Sequence, residues 1–108
     1  MDRDALFLLH ISDAIKKIEN FIKDKTKIDL ETDDLISSAI IRQFEIIGEA
    51  AKQLSDSFKK QNKKIPWRAI AGMRDKLIHG YFDVDFDEVW KTIHVDLPVL
   101  KEFIKKHT

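Results

Sequence analysis

The sequence predicts an all-α fold, an up-and-down bundle of about four helices in which three are long and one is short. Apolar residues recur at spacings of three and four along three long stretches, a pattern typical of amphipathic helices. Only three glycines and two prolines occur in 108 residues, and this scarcity favours long helices over many short strands. We expect residues 1–108 to form a single domain with the composition of an ordinary globular protein.

Charge and cysteine content narrow the functional classes. Nineteen basic residues balance nineteen acidic ones, so any contact with nucleic acid has to be local. The absence of cysteine excludes disulfides, thiolate metal sites and a cysteine nucleophile. The apolar run Leu6–Leu9 is too short for the core of a signal peptide. We therefore expect a cytoplasmic protein without a membrane segment.

The first long helix is expected over Asp4–Lys25, with an apolar face at helical spacing. His10 lies next to this face and is interpreted as a packing or partly exposed residue, because no second metal ligand lies at helical spacing. A polar connector over Thr26–Asp34 should follow. One of residues 32–34 should cap the next helix.

The second long helix is expected over Leu35–Phe58. Gly48 within it indicates close approach by a neighbouring helix, since glycine otherwise costs helix stability. Glu49 is a candidate partner for Arg74, but it also fits a solvated row of polar side chains at spacings of three and four. That row consists of Arg42, Glu45, Glu49 and Lys52.

The last long helix is expected over residues 85–106. Asp83 or Asp85 should cap its start, where carboxylates suit the helix dipole. Pro98 should kink this helix or loosen one turn. The acidic stretch 83–88 lacks the central glycine and ligand series of a calcium loop. We expect neither a metal nor a cofactor.

The segment from Ile65 to Tyr81, called the motif segment below, is predicted to contain the short helix. Proline suits a first helical turn and Gly80 suits the position after the last one, which places His79 in the final turn. Arg74 falls on the apolar stripe that should face the core. A carboxylate partner, a snorkelling stem, or a cleft or interface would each explain a charge at that position.

Spacing within the motif segment suggests how its polar groups act together. Asp75 and His79 are four residues apart, so on a helix the carboxylate could orient the imidazole. Arg74 and His79 are five apart, roughly 140° around an ideal helix. They converge if the helix ends at His79, if Arg74 bends across, or if two copies of the helix meet in a symmetric dimer.

A local basic patch is the second functional signal. The linker Lys59–Lys64 leads directly into the motif segment and brings positive charge next to it. Such a patch within a neutral protein suits RNA or another phosphate-bearing partner. The candidate RNA contacts are Lys63, Lys64, Arg68 and Lys76.

Three sets of residues together resemble the HepT-like toxins of the HEPN superfamily. Arg74, His79 and Tyr81 match the family pattern R-x-x-x-x-H-x-Y, Pro66 and Trp67 precede it, and Gly48-Glu49-Ala50 lies on the preceding helix. The resemblance extends over nearly the whole chain, including Trp90 on the last helix. It implies an HEPN-type helical domain that forms a homodimer, with the motif helices at the dimer cleft.

The resemblance also implies a function. Members of this family act as metal-independent endoribonucleases and as toxins. Their partner is a minimal nucleotidyltransferase antitoxin, which attaches AMP to the motif tyrosine, here Tyr81. Relatives commonly have Asn after the arginine, whereas this chain has Asp75, a carboxylate that would repel phosphate and weaken the activity.

The implied chemistry is attack of a ribose 2′-hydroxyl on the adjacent phosphate. His79 would transfer the proton and Arg74 would clamp the phosphate, while Tyr81 could contact RNA. The main alternative is a non-catalytic helical dimer that binds a nucleotide or docks a nucleotidyltransferase. A third reading is a structural bundle in which Arg74 pairs with Glu49 and His79 caps a helix.

Overall fold

Three long helical segments dominate the structure, a computed structural model that describes residues 2–79 and 83–107. In chain order the elements are α1 (Arg3–Ile22), α2 (Lys27–Thr32), α3 (Asp34–Gln53), α4 (Asp56–Gln61), α5 (Trp67–Ala71), α6 (Met73–Leu77), β1 (Ile78–His79), β2 (Asp83–Val84), α7 (Phe86–Lys91), a π-helical segment (Thr92–Asp96) and α8 (Leu97–Lys106). The long segments are α1, α3 and the run from α7 to α8. The predicted all-α fold is confirmed. Within the described ranges, every helix is too short or too polar to span a bilayer.

Helices α1 and α3 form an antiparallel pair at the centre of the core. Arg3 Nη2 at the start of α1 donates to Gln53 Oε1 at the end of α3 over 2.6 Å, so the two helices run in opposite directions. Their fully buried side chains include Ile11, Ile15, Ile18, Ile40, Phe44 and Ile47. Each such side chain contributes about 1.5–3 kcal/mol by leaving water, which makes this pair a rigid base for the rest of the chain.

The segment before α3 is more ordered than a polar connector. Helix α2 forms within it, because Thr26 and Asp29 make a capping box that satisfies the first backbone amides. Lys27 forms an ion pair with Asp87 and so joins α2 to α7. That contact raises the pKa of Lys27. The expected cap of α3 is confirmed, since Asp33 Oδ1 accepts from two amides of its first turn.

Helix α3 ends earlier than predicted, at Gln53 rather than Phe58. Leu54 takes an extended conformation and is buried, so its side chain reaches the core while the chain turns away. Ser55 then caps the short helix α4, its Oγ accepting from Phe58 N over 3.1 Å. Asp4 of α1 accepts hydrogen bonds from Ser55 Oγ and Ser55 N, each over 2.7 Å. These bonds lower the pKa of Asp4.

The last long helix contains the loosened turn predicted from Pro98. Asp85 caps its start, accepting from Glu88 N over 3.1 Å, as expected. Before the proline the backbone widens into the π-helical segment, where Leu97 N donates to Thr92 O, five residues earlier. Pro98 lies in the first turn of α8, where its missing amide leaves a gap in the helical hydrogen bonding.

Candidate active site

Trp67 anchors the start of the motif segment. Its side chain is buried, and Nε1 donates to Asn62 O over 3.1 Å. The indole also meets the rings of Phe58 at 5.8 Å and Phe103 at 5.6 Å between centroids. Aromatic packing on two sides and a satisfied indole donor hold α5 against α4 and α8.

Gly48 sets how closely the motif segment approaches α3. A Cβ built at this position would lie 3.0 Å from the carbonyl oxygen of Ala71 and 3.6 Å from that of Ile70. Only a residue without a side chain lets the end of α5 rest on the backbone of α3. The close approach predicted from Gly48 is confirmed, and it positions the residues that follow Ala71.

Gly72 divides the predicted motif helix in two. Helix α5 ends at Ala71 and α6 begins at Met73, so the continuous helix predicted up to His79 is wrong. Gly72 has φ −96° and ψ 8°, close to the bridge region rather than the α region. The break moves Met73 into the core and leaves Arg74 half-buried at its edge.

Arg74 faces a cleft between α1, α3 and α6. This space, called the Arg74 cleft below, has a volume of about 460 Å³ and is lined by Phe7 and His10 of α1, by polar residues of α3 and by Arg74 and Asp75 of α6. The side chain of Arg74 is 39% exposed. Of the three explanations for a charge on the apolar stripe, the structure supports two, a position at a cleft and a carboxylate partner in Asp75.

The charges along the Arg74 cleft are paired within each helix. Arg74 Nη1 lies 3.5 Å from Asp75 Oδ1, and Lys52 Nζ lies 3.1 Å from Glu49 Oε1. The third pair joins Arg42 Nη1 to Glu45 Oε2 over 3.9 Å. Glu49 therefore belongs to the solvated row along α3, and Lys52 rather than Arg74 is its ion-pair partner.

His79 lies on a strand, which corrects its predicted place in a final helical turn. Helix α6 ends at Leu77, and Ile78 pairs with Val84 while His79 pairs with Asp83 in the antiparallel register of β1 and β2. Asp85 N also donates to Leu77 O over 2.8 Å. Because side chains alternate along a strand, the buried Ile78 turns His79 outward, where it is exposed.

The strand changes the relations expected among the polar residues. Asp75 and His79 no longer share a helical face, so the four-residue spacing does not bring their side chains together. Among the residues that the structure describes, the lining of the Arg74 cleft includes Arg74 and Asp75 but not His79. Gly80, predicted to follow the last helical turn, and Tyr81, the expected site of AMP attachment, lie outside the described residues.

The candidate RNA contacts lie away from the Arg74 cleft. Lys63, Lys64 and Arg68 are exposed. The two lysines lie in the turn before α5, and Arg68 lies on α5. Lys76 Nζ lies 3.7 Å from Glu88 Oε2 of α7. These cations are close to Arg74 in the sequence, but the fold does not bring them into the lining of the cleft.

His10 is the site residue that sequence reasoning undervalued. The sequence predicts a packing or partly exposed residue, and the side chain is exposed, but it also lines the same cleft as Arg74. No sequence signal joins the two residues, because they are 64 positions apart and reach the same cleft only through tertiary packing. Over residues 2–79 and 83–107, no group of three or more His, Cys, Asp or Glu side chains could hold a metal ion.

The family model and the individual relatives that match this chain agree on one family. The model of the family described as "Ribonuclease HepT-like" matches residues 11–107. A Thermococcus cleftensis protein named as a probable ribonuclease HepT is 45% identical over 100 residues, which cover 93% of this chain and 91% of that protein.

Another relative is longer than this chain. It is a Methanocaldococcus jannaschii protein whose name gives both a gamma-glutamylcyclotransferase and an RNase. It is 45% identical over 101 residues, which cover 94% of this chain and 46% of that protein. This chain thus spans about half the length of that relative. No solved structure gave a significant match.

Proposed function

This chain belongs to the ribonuclease HepT-like family, and we propose that it is a metal-independent endoribonuclease that acts as the toxin of a HEPN toxin–antitoxin pair. The observation that supports this most is the position of Arg74. Its side chain is half-buried at the wall of an open cleft, where the guanidinium could bind a phosphate. A purely structural arginine at this place would be expected to pair with Glu49, which instead pairs with Lys52.

The proposed reaction is attack of a ribose 2′-hydroxyl on the adjacent phosphate. His79 removes the hydroxyl proton or protonates the departing 5′-oxygen, as imidazole can do near neutral pH. Arg74 binds the phosphate through its planar fork and stabilises the charge that develops in the transition state. The products are a 2′,3′-cyclic phosphate and a 5′-hydroxyl end.

The proposed active form is a homodimer. Arg74 faces the cleft, whereas His79 lies on β1 and is absent from the described lining of that cleft. We infer that His79 of a second copy completes the site, so a two-fold dimer would hold two equivalent sites. Residues 1–108 would act as one HEPN-type domain.

Control of the toxin is proposed to act through Tyr81. A minimal nucleotidyltransferase antitoxin would attach AMP to this phenol, two residues after His79. The added bulk and negative charge would block RNA and occupy the guanidinium of Arg74. Cytoplasmic RNA is the proposed substrate, with Lys63, Lys64, Arg68 and Lys76 as further contacts outside the cleft.

Cleavage of a single-stranded RNA by the purified protein in excess EDTA tests this proposal. We expect cleavage to continue in the chelator and the new ends to carry cyclic phosphate, because the attacking group belongs to the RNA. A substrate with 2′-O-methyl groups is the matched control and should stay intact. Cleavage that stops in EDTA and returns with a divalent ion would contradict the proposed mechanism.

A second candidate is a non-catalytic module that binds a nucleotide or docks a nucleotidyltransferase. The pairing of every described arginine and lysine of the Arg74 cleft with a carboxylate favours it, because these carboxylates weaken the attraction for a long polyanion. Calorimetry with AMP and with RNA separates the two. Nucleotide binding without cleavage of any RNA would favour this module.

A further inference from the structure

His10 differs from His94 and His107 in its hydrogen bonding. Nδ1 of His94 and Nδ1 of His107 each lie 2.8 Å from a carbonyl oxygen of their own helix, so these rings are tied to the backbone. Among the described residues, no hydrogen bond or ion pair engages the ring of His10. Its contact is with Phe7, one turn earlier, at 5.5 Å between centroids and 88° between planes.

Phe7 gives the ring of His10 a fixed support. Phe7 is half-buried against the core, and Arg3 lies over its face with Cζ 5.4 Å from the centroid. Arg3 is itself held by Gln53 of α3. An imidazole packed at right angles to an anchored phenyl ring loses rotational freedom without losing its polar atoms, so His10 presents its nitrogens at a defined place in the Arg74 cleft.

The cleft contains other polar groups, and they are already engaged. Its described arginines and lysine form short-range pairs with Asp75, Glu45 and Glu49. A phosphate that enters must compete with a carboxylate at each of these cations. At His10 it meets an N–H donor without any such competitor.

We propose that His10 is a second RNA-binding residue of the Arg74 cleft, which donates a hydrogen bond to a phosphate oxygen of the strand next to the scissile phosphate. This role rests on the proposed ribonuclease function and adds to it a substrate contact on α1. Arg74 takes the scissile phosphate, and His10 on α1 fixes the direction of the strand. His10 is a binding residue in this arrangement, and proton transfer stays with His79.

The chemistry of the imidazole ring suits this contact. An imidazole carries an N–H donor in either of its protonation states, so His10 can donate to a phosphate oxygen. The charged groups that line the cleft with His10 are Arg42, Glu45, Glu49, Lys52, Arg74 and Asp75.

The test compares His10→Ala with the wild-type protein and with His94→Ala. His94 is an exposed histidine on the π-helical segment that does not line the Arg74 cleft. Binding is measured with a 2′-O-methyl RNA that cannot be cut, in a His79→Ala background that removes the histidine of the motif segment. We expect His10→Ala to weaken binding roughly tenfold, because alanine removes the donor. His94→Ala should match the background protein.

Cleavage kinetics with an unmodified RNA, in the protein with His79 intact, complete the test. His10→Ala should raise KM and leave kcat within about threefold, the pattern of lost substrate binding. Equal RNA affinity in His10→Ala and the background protein would overturn the role of His10, as would a large fall in kcat at constant KM. Absence of RNA cleavage by the wild-type protein would instead overturn the ribonuclease proposal, while the binding comparison would still decide whether His10 contacts RNA.

Discussion

Arg74 and His79 of the motif segment are held in different ways. Arg74 follows a turn whose backbone rests on Gly48, and Trp67 anchors the helix before it with a hydrogen bond and two aromatic contacts. His79 lies on a two-residue strand, with its side chain exposed. Packing thus fixes the position of the arginine, whereas the histidine side chain is exposed and accessible to a substrate or to the proposed second copy.

The largest expected effects come from replacing Arg74 or His79. We predict that Arg74→Ala lowers RNA cleavage by about 10²–10³ and that His79→Ala lowers it by about 10²–10⁴. Arg74→Lys should not restore activity, because an ammonium cannot bind phosphate through a planar fork. Cleavage rates at saturating RNA measure these losses, with circular dichroism to verify the fold. A folded variant with full activity would exclude its residue from the site.

Gly48→Ala tests whether the backbone contact with α3 positions Arg74. The new Cβ would lie 3.0 Å from the carbonyl oxygen of Ala71, so α5 has to move. The packing cost of about 1–3 kcal/mol should exceed the helix gain of about 1 kcal/mol, and both stability and RNA cleavage should fall.

Gly72→Ala is the matched control for Gly48→Ala. A Cβ at Gly72 would lie 3.7 Å from its nearest neighbour, Arg68 O, an ordinary contact. Urea unfolding should show this variant as stable as the wild-type protein or more so. Equal losses of stability in the two variants would mean that the close approach at Gly48 does not determine the geometry.

Asp75→Asn tests the carboxylate beside Arg74. Asp75 Oδ1 lies 3.5 Å from Nη1 of the guanidinium, where it competes with phosphate. Removing its charge should tighten RNA binding about threefold to tenfold at low salt, and less at high salt. Filter binding at two salt concentrations measures this change. Weaker binding in the variant would assign Asp75 a supporting role in orienting Arg74.

Asp4→Asn probes a contact remote from the motif segment and should have the smallest effect on activity. The variant loses one of the two hydrogen bonds with Ser55, which lowers stability by about 1 kcal/mol at neutral pH. Since the folded state lowers the pKa of Asp4 from its ordinary value of 3.8, this stabilisation is present above that value and is lost as the pH falls through the folded pKa.

Thermal unfolding of Asp4→Asn and the wild-type protein at pH 7 and pH 3 measures this dependence. We expect the difference in Tm to be larger at pH 7. RNA cleavage at pH 7 should be unchanged at a temperature where both proteins are folded. A difference in Tm that grows toward pH 3 would contradict the assigned charge state of Asp4.

The long helices could be predicted from the sequence because apolar periodicity determines which faces are buried. The prediction from Gly48 was correct for a different reason. Glycine within a helix costs stability, so its presence indicates that a neighbouring backbone needs the space. The break at Gly72 and the strand at His79 could not be predicted, because the local spacing of residues is compatible with one continuous helix. Burial of Met73 and Ile78 in the core favours the broken helix and the strand instead. His10 joined the site only through tertiary packing of α1 on α3.

The shared site can be tested most directly with mixed dimers of Arg74→Ala and His79→Ala chains. The two variants are co-expressed with different tags and purified through both tags, so that every dimer contains one chain of each kind. If Arg74 of one copy acts with His79 of the other, each mixed dimer holds one intact site of two. We predict about half of the wild-type cleavage rate. Mixed dimers as inactive as either parent, or failure of the two chains to copurify, would contradict a site shared between copies.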